Sequence, residues 1–302
     1  MKITIFGAGA IGSLLGAHLS RHHDVAFIGR PPHITSIQSQ GLTITGKTRF
    51  HGKIMARTTL DDTTTPDLII VTVKAYDTAI AAGEISSILT PTTTVLTLQN
   101  GLGNIEALAA KIPIHQLLAG IITHGALLTS PGTVTHTGKG EITIGELDGD
   151  ISDRVTNIAN IFTSSNLPAT VSKDITSDIW RKTIVNSSIN PLTALFTCTN
   201  GYLQTNPILA HMVDAICDES TRIAQAAGKP VTIEEMRNLT RHVIHDTAQN
   251  SSSMLQSLQH NKPTEIASIN GALAQTASHN HLDAPLNRLL TSLIHWKEQQ
   301  NK

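Results

Sequence analysis

The spacing Gly7-Ala8-Gly9-Ala10-Ile11-Gly12 constrains this chain more than any other stretch of it. It follows a short apolar run, residues 2–6, and opens a helical pattern carried by Leu14, Leu15, Ala17 and Leu19. In that strand–turn–helix context Gly7 permits the tight turn and Gly9 lets backbone amides approach a pyrophosphate, while Gly12 lets helix and strand pack closely. The phosphates belong at the positive end of the helix. A glycine turn can be purely structural, but in this context it points to a dinucleotide.

The alternation continues. Residues 25–28, 68–73 and 95–98 are further apolar runs, the last two separated by an alanine-rich stretch at 75–88. Short apolar runs divided by helices predict a parallel sheet covered on both faces. Residues 41–56 read as strand–turn–strand and 132–145 as a hairpin, with threonine-rich loops at 58–65 and 90–94. From Asp174 onward a 3.6-residue pattern takes over, as in HMVDAICDESTRIAQAAG. Gly228-Lys229-Pro230 ends one helix and Lys262-Pro263 separates two others. The expected fold is therefore α/β. A Rossmann-type doubly wound sheet over 1–173 carries the glycine turn, and an all-helical domain over 174–302 follows it.

Composition removes several classes. A net charge of −1 and 3% aromatic residues argue against nucleic acid as a partner. Nothing approaches about 18 uninterrupted apolar residues, so no membrane span is expected. The apolar N-terminus is broken by three glycines and carries only Lys2 as a basic flank, a poor secretory signal. Cys198 and Cys217 form no CxxC spacing, and the protein is expected in the cytoplasm. The 15 histidines raise a metal site, with His242, His245 and Asp246 in reach and His211 as a further ligand. No HExxH or comparable set exists, so no metal is expected. His124, in GIITHGALL, reads as structural or site-lining.

The second strand bears on which dinucleotide is held. An NAD site places Asp or Glu at its end to bond the ribose 2′-hydroxyl. Here the strand ends Phe27-Ile28-Gly29-Arg30, with no acidic residue from 25 to 60. A carboxylate repels a 2′-phosphate and a guanidinium can bond it, which favours NADPH. Lys74 and Asn100 end two further strands at the same sheet edge, where ligands gather in open α/β folds.

In the second half, Lys182, Asn186 and Asn190 recur every four residues and line one helix face. That helix has few charges, so a buried lysine and two amides need partners, either a ligand or a polar network. With these motifs in view, the chain resembles the ketopantoate reductase family from residue 1 to about 296. The resemblance is carried by GAGAIG at 7–12, VKA at 73–75, QNG at 99–101 and WRKTIVNSSINPLTA at 180–194. NG at 200–201, NSSSM at 250–254 and TEIASINGAL at 264–273 complete it.

The resemblance implies NADPH-dependent reduction of 2-dehydropantoate to pantoate, a step of pantothenate biosynthesis. Lys182 resembles the general acid and Glu265 the carboxylate that supports it. Asn186, Asn190 and Asn200 resemble substrate-positioning amides, and Ser253 the hydroxyl that bonds the substrate carboxylate. Asn100 and Lys74 resemble residues at the nicotinamide and ribose edge, and Arg30 the ligand of the 2′-phosphate. Ser257 stands where relatives often carry an acid, which is expected to remove a helix-surface or supporting interaction. Two other readings remain: reduction of a different small 2-keto acid, and a non-catalytic NADP(H) sensor. A homodimer is compatible with all three.

Overall fold

The computed structural model describes residues 1–60 and 65–300, so the threonine-rich loop expected at 58–65 lies partly outside them. The chain forms two compact units, Met1–Gln99 with Asn104–Thr176, and Asn100–Gly103 with Ser177–Lys302.

The first unit runs β1 (Lys2–Phe6), α1 (Ala10–Leu19), β2 (Asp24–Ile28), α2 (Pro31–Gln40), β3 (Leu42–Gly46), β4 (Phe50–Gly52) and β5 (Met55–Arg57). It continues with β6 (Leu68–Val71), α3 (Thr78–Ser86), β7 (Thr94–Thr97), α4 (Asn104–Ala109), β8 (Leu117–Ile122) and β9 (Gly125–Ser130). It closes with β10 (Thr133–Gly138), β11 (Ile142–Gly145), α5 (Asp153–Ser164) and β12 (Ala169–Val171). Among the described residues, eight strands form one sheet in the order β12-β11-β8-β7-β6-β1-β2-β5. Pairing is parallel from β5 to β8, with Ile5 opposite both Phe27 and Ile70, while β11 lies antiparallel against β8. All four residues of β6 are buried, as befits a strand covered on both faces. The neighbours of β1 are β2 on one side and β6 on the other, so the direction of winding reverses there. Open α/β sheets bind ligands at such a switch point.

One expectation fails. Residues 132–145 are not a hairpin, because β10 and β11 belong to different sheets. β10 pairs antiparallel with β9 and parallel with β3, in a second sheet ordered β4-β3-β10-β9. The turn that joins paired strands is Pro131-Gly132, with Gly132 at φ +79°. Gly140 instead lets the chain cross between sheets: a Cβ there would stand 2.5 Å from the Thr123 carbonyl carbon. Two glycines flanking one lysine look like a turn in sequence, but here they mark a close backbone approach.

In the second unit α6 (Ile175–Phe196) is followed by α7 (Tyr202–Thr205), α8 (Pro207–Ala226), α9 (Ile233–Asp246) and α10 (Ser253–Gln259). A π-turn at Ala267–Gly271 leads into α11 (Ala272–His279), and α12 (Pro285–Gln300) ends the fold. Helix starts follow local chemistry. Asn206 accepts from the Ile208 and Leu209 amides ahead of α8, with Pro207 at its first position, and Thr232 caps α9. Ile184, Ile189, Leu192, Ile216 and Met236 form the core between these helices. No helix of the described residues is long and apolar enough to cross a membrane.

Candidate active site

The glycine turn is a backbone device. Gly7 takes φ +112°, and a Cβ on it would stand 2.5 Å from the Val73 nitrogen. A Cβ on Gly12 would stand 2.3 Å from the Gly7 carbonyl oxygen, so only glycine lets α1 start this close to β1. The Gly7 and Ala8 amides both donate to the Ile28 carbonyl at 2.9 Å, which pins the turn to the end of β2. Gly9 differs from the other two. Its Cβ would find only the Gly7 oxygen, 4.0 Å away, so open space lies beside Gly9, the residue that leads into α1. An open space faced by helix N-terminal amides suits a pyrophosphate. The residues present therefore fit a dinucleotide.

Around this turn, Arg30 donates to Asp77 Oδ2 at 2.7 Å. Partial burial works against the guanidinium charge, but Asp77 and Tyr76 outweigh it and hold its pKa above the ordinary arginine value. Lys74 is half-buried just ahead of the short 3-10 turn Ala75–Asp77. Gln99 was not singled out by sequence. It is buried, and its Nε2 donates to the Val73 carbonyl at 2.9 Å and to Thr78 Oγ1 at 2.7 Å. Thr78 in turn donates to Asn104 Oδ1 at 2.9 Å. The segments after β6 and β7 are tied together by this chain of bonds. The QNG triplet was its only sequence signal.

In the second unit, Lys182, Asn186 and Asn190 fall on one face of α6, with Asn190 buried and the other two half-buried. Burial pulls the Lys182 ammonium down to about 8, and the Glu265 carboxylate opposes that fall. Glu265 is itself buried, at the entry to the π-turn, and accepts from Asn100 Nδ2 at 3.3 Å. Gly101 makes this pairing possible. It takes φ +85°, and a Cβ there would stand 2.4 Å from the Ser268 carbonyl oxygen, while the Leu102 amide donates to that oxygen at 2.8 Å. The short loop Asn100–Gly103 thus docks on the turn that carries Glu265.

Pro191 lies inside α6. A helical proline supplies no N–H, so the carbonyl four residues before it loses its donor. That carbonyl is on Ser187, and Asn270 Nδ2 donates to it at 3.1 Å. Asn270 also donates to Asn287 Oδ1 at 2.9 Å, and Asn287 donates through its amide side chain and its backbone to Glu219 Oε1 at 2.9 and 2.8 Å. A buried polar chain therefore runs from the start of α12 to the middle of α6. It holds the π-turn against the helix that carries Lys182.

The remaining sequence candidates are placed less uniformly. Asn200 is buried, and Nδ2 donates to Thr247 Oγ1 at 2.8 Å while its Oδ1 has no hydrogen-bond partner. Such an oxygen is available to a donor from a ligand. Ser253 is exposed at the first position of α10, and the adjacent Ser252 caps the helix through the Leu255 amide at 3.1 Å. Ser257 is buried and donates to the Ser253 carbonyl at 3.0 Å, so of the two interactions expected to be lost at this position, the supporting one fits its burial and the helix-surface one does not. His242 and His245 both bond the exposed carboxylate of Asp246, at 3.1 Å each, without His211. Among the described residues no group of three or more His, Cys, Asp or Glu is arranged to hold a metal ion.

His124 belongs to a buried network in the first unit. His136 Nε2 donates to the Gly138 carbonyl at 2.8 Å and lies 3.2 Å from His124 Nδ1. His124 Nδ1 also accepts from the Gly140 amide at 3.3 Å, so the ring proton of His124 sits on Nε2, which is buried with no partner. Burial first, then His136 and His18, push His124 down to about 4. A neutral histidine of this kind is structural.

Known proteins resemble the chain over both of its halves. The family described as Ketopantoate reductase PanE/ApbA matches residues 3–149, and its C-terminal counterpart, Ketopantoate reductase PanE/ApbA C terminal, matches 174–298. The 2-dehydropantoate 2-reductase of Pyrococcus horikoshii is 38% identical over 299 residues, 99% of this chain and 98% of that one. That of Vibrio cholerae is 35% identical over 301 residues, with the same coverage of each chain. Among solved structures, D-mandelate dehydrogenase with NADH and anilino(oxo)acetate aligns at TM-score 0.95 and 26% identity, over 100% of this chain and 99% of that one. A PanE/ApbA family ketopantoate reductase from Ralstonia eutropha JMP134 aligns at TM-score 0.90 and 28% identity, with the same coverage.

Proposed function

The chain belongs to the ketopantoate reductase family, and on that premise we propose how its residues reduce 2-dehydropantoate to pantoate with NADPH. It is an oxidoreductase of a small 2-keto acid. When bound, the reduced dinucleotide is the source of hydride for the C2 ketone.

The observation that carries the reading is that the buried Glu265 carboxylate acts on the ammonium of Lys182, which stands on the face of α6 that also bears Asn186 and Asn190. A ketone accepting hydride gathers negative charge on oxygen. Lys182, pulled to about 8, is still mostly protonated at neutral pH yet gives up its proton readily. It donates that proton to the C2 oxygen, and its charge stabilises the developing alkoxide before the proton moves. Glu265 keeps the ammonium protonated, and Asn100 holds the carboxylate through its amide. Asn186, Asn190 and Asn200 orient the substrate through their amides, and Ser253 takes its carboxylate. Gly7, Ala8, Gly9, Ala10, Ile11 and Gly12 hold the pyrophosphate, with Lys74 at the ribose and Arg30 at the 2′-phosphate.

The enzyme works in the cytoplasm, a reading supported by two free thiols, Cys198 and Cys217. Leu289, Leu293 and Trp296 form an exposed apolar stripe on α12, which supports a homodimer. The likeness to D-mandelate dehydrogenase favours a second reading, reduction of another small 2-keto acid on the same residues. NADPH oxidation measured against 2-dehydropantoate and a panel of other 2-keto acids separates the two. The highest kcat/KM on 2-dehydropantoate is expected; turnover only on another acid would overturn the substrate and keep the reaction.

A further inference from the structure

We propose that Asp77 sets the balance between NADPH and NADH by holding Arg30 with a carboxylate where a 2′-phosphate would bond it. The inference rests on the reading of Gly7–Gly12 and Arg30 as the dinucleotide site. Arg30 lies two residues beyond β2 and Asp77 six residues beyond β6, and these strands flank β1. Their 2.7 Å ion pair therefore joins the two segments that border the glycine turn. Asp77 occupies the N-cap position of α3, where an aspartate ordinarily bonds the helix amides. It makes no cap bond. Its carboxylate is committed to Arg30 instead.

The consequence is a divided preference. A 2′-phosphate that approaches Arg30 meets a second anion already on the guanidinium, and two anions so close repel. A ribose 2′-hydroxyl carries no charge and can donate to that same carboxylate, as it does to the acid of an NAD site. Arg30 alone favours NADPH, whereas Arg30 with Asp77 accepts both forms. The acid missing from the end of β2 is thus supplied from the start of α3, in the segment that follows β6. The Arg30 side chain is 70% exposed and that of Asp77 32%, so water and salt moderate the effect without abolishing it.

Dissociation constants of NADPH and NADH, measured by fluorescence titration on the full chain without substrate, test this. For the unaltered protein the two constants should lie within about tenfold of one another. Asp77→Asn keeps the size and removes the charge; it should tighten NADPH about five- to tenfold and leave NADH unchanged or weaker. Asp77→Ser provides a second variant and should move the ratio in the same direction. A ratio unmoved by both substitutions, with both dinucleotides still bound, would overturn the role of Asp77 and leave the site standing. Failure of the unaltered protein to bind either dinucleotide would overturn the site itself, and this inference with it.

Discussion

Asn270 donates its side-chain amide to the Ser187 carbonyl at 3.1 Å, replacing the helical donor that Pro191 cannot provide. A residue on the π-turn thereby repairs the helix that carries Lys182. Proline in a helix interior costs about 3 kcal/mol, part of it the lost hydrogen bond.

Asn270→Ala should therefore destabilise the chain by about 2–3 kcal/mol, because it strips both Ser187 and Asn287 of a buried donor. In a Pro191→Ala background the helix regains its own N–H, and the same substitution should cost less. Urea denaturation of the four variants measures the coupling. Strictly additive costs would show that Asn270 does not stand in for the missing donor.

The activity should fall as pH rises past about 8, because only protonated Lys182 can serve as the acid. Glu265 holds that pKa up, so Glu265→Gln should move the falling limb of kcat/KM to lower pH. It should also lower kcat by about 10–100-fold. A limb that stays in place would mean that the titrating group is not Lys182, or that Glu265 does not act on it.

His124 makes stability depend on acid. Burial holds it at about 4 against an ordinary value of 6.5, so as pH falls the unfolded chain takes up the proton first. Its contribution is fully present above 6.5 and is lost as pH falls towards 4, a change of about 3 kcal/mol. His18 and His136 are also lowered by burial and add in the same direction. Denaturation at pH 7 and pH 4.5 should show the loss, and His124→Asn should reduce it. An equal loss in that variant would assign the acid sensitivity elsewhere.

Much of this was legible in the residues themselves. The glycine turn could be read because its constraints are local, one φ and two close approaches. The face of Lys182, Asn186 and Asn190 could be read because helical periodicity places them together. Glu265 could be assigned only by resemblance, since its contact with Asn100 spans 165 residues of sequence. The 132–145 segment misled because two glycines signal a turn and a close approach in the same way, and only strand pairing separates them. Asp77 was passed over for a similar reason. An acid at a helix start is usually a cap, and nothing local reveals that its carboxylate turns to Arg30.

The central claim is that Lys182 delivers the proton in an NADPH-dependent reduction of a 2-keto acid. NADPH oxidation with 2-dehydropantoate, for the unaltered protein and Lys182→Ala side by side, tests it most directly, with NADPH affinity titrated in both. The account predicts a kcat loss of about 10²–10⁴-fold with NADPH affinity changed less than about threefold. Turnover retained within a few-fold in the alanine variant would contradict it.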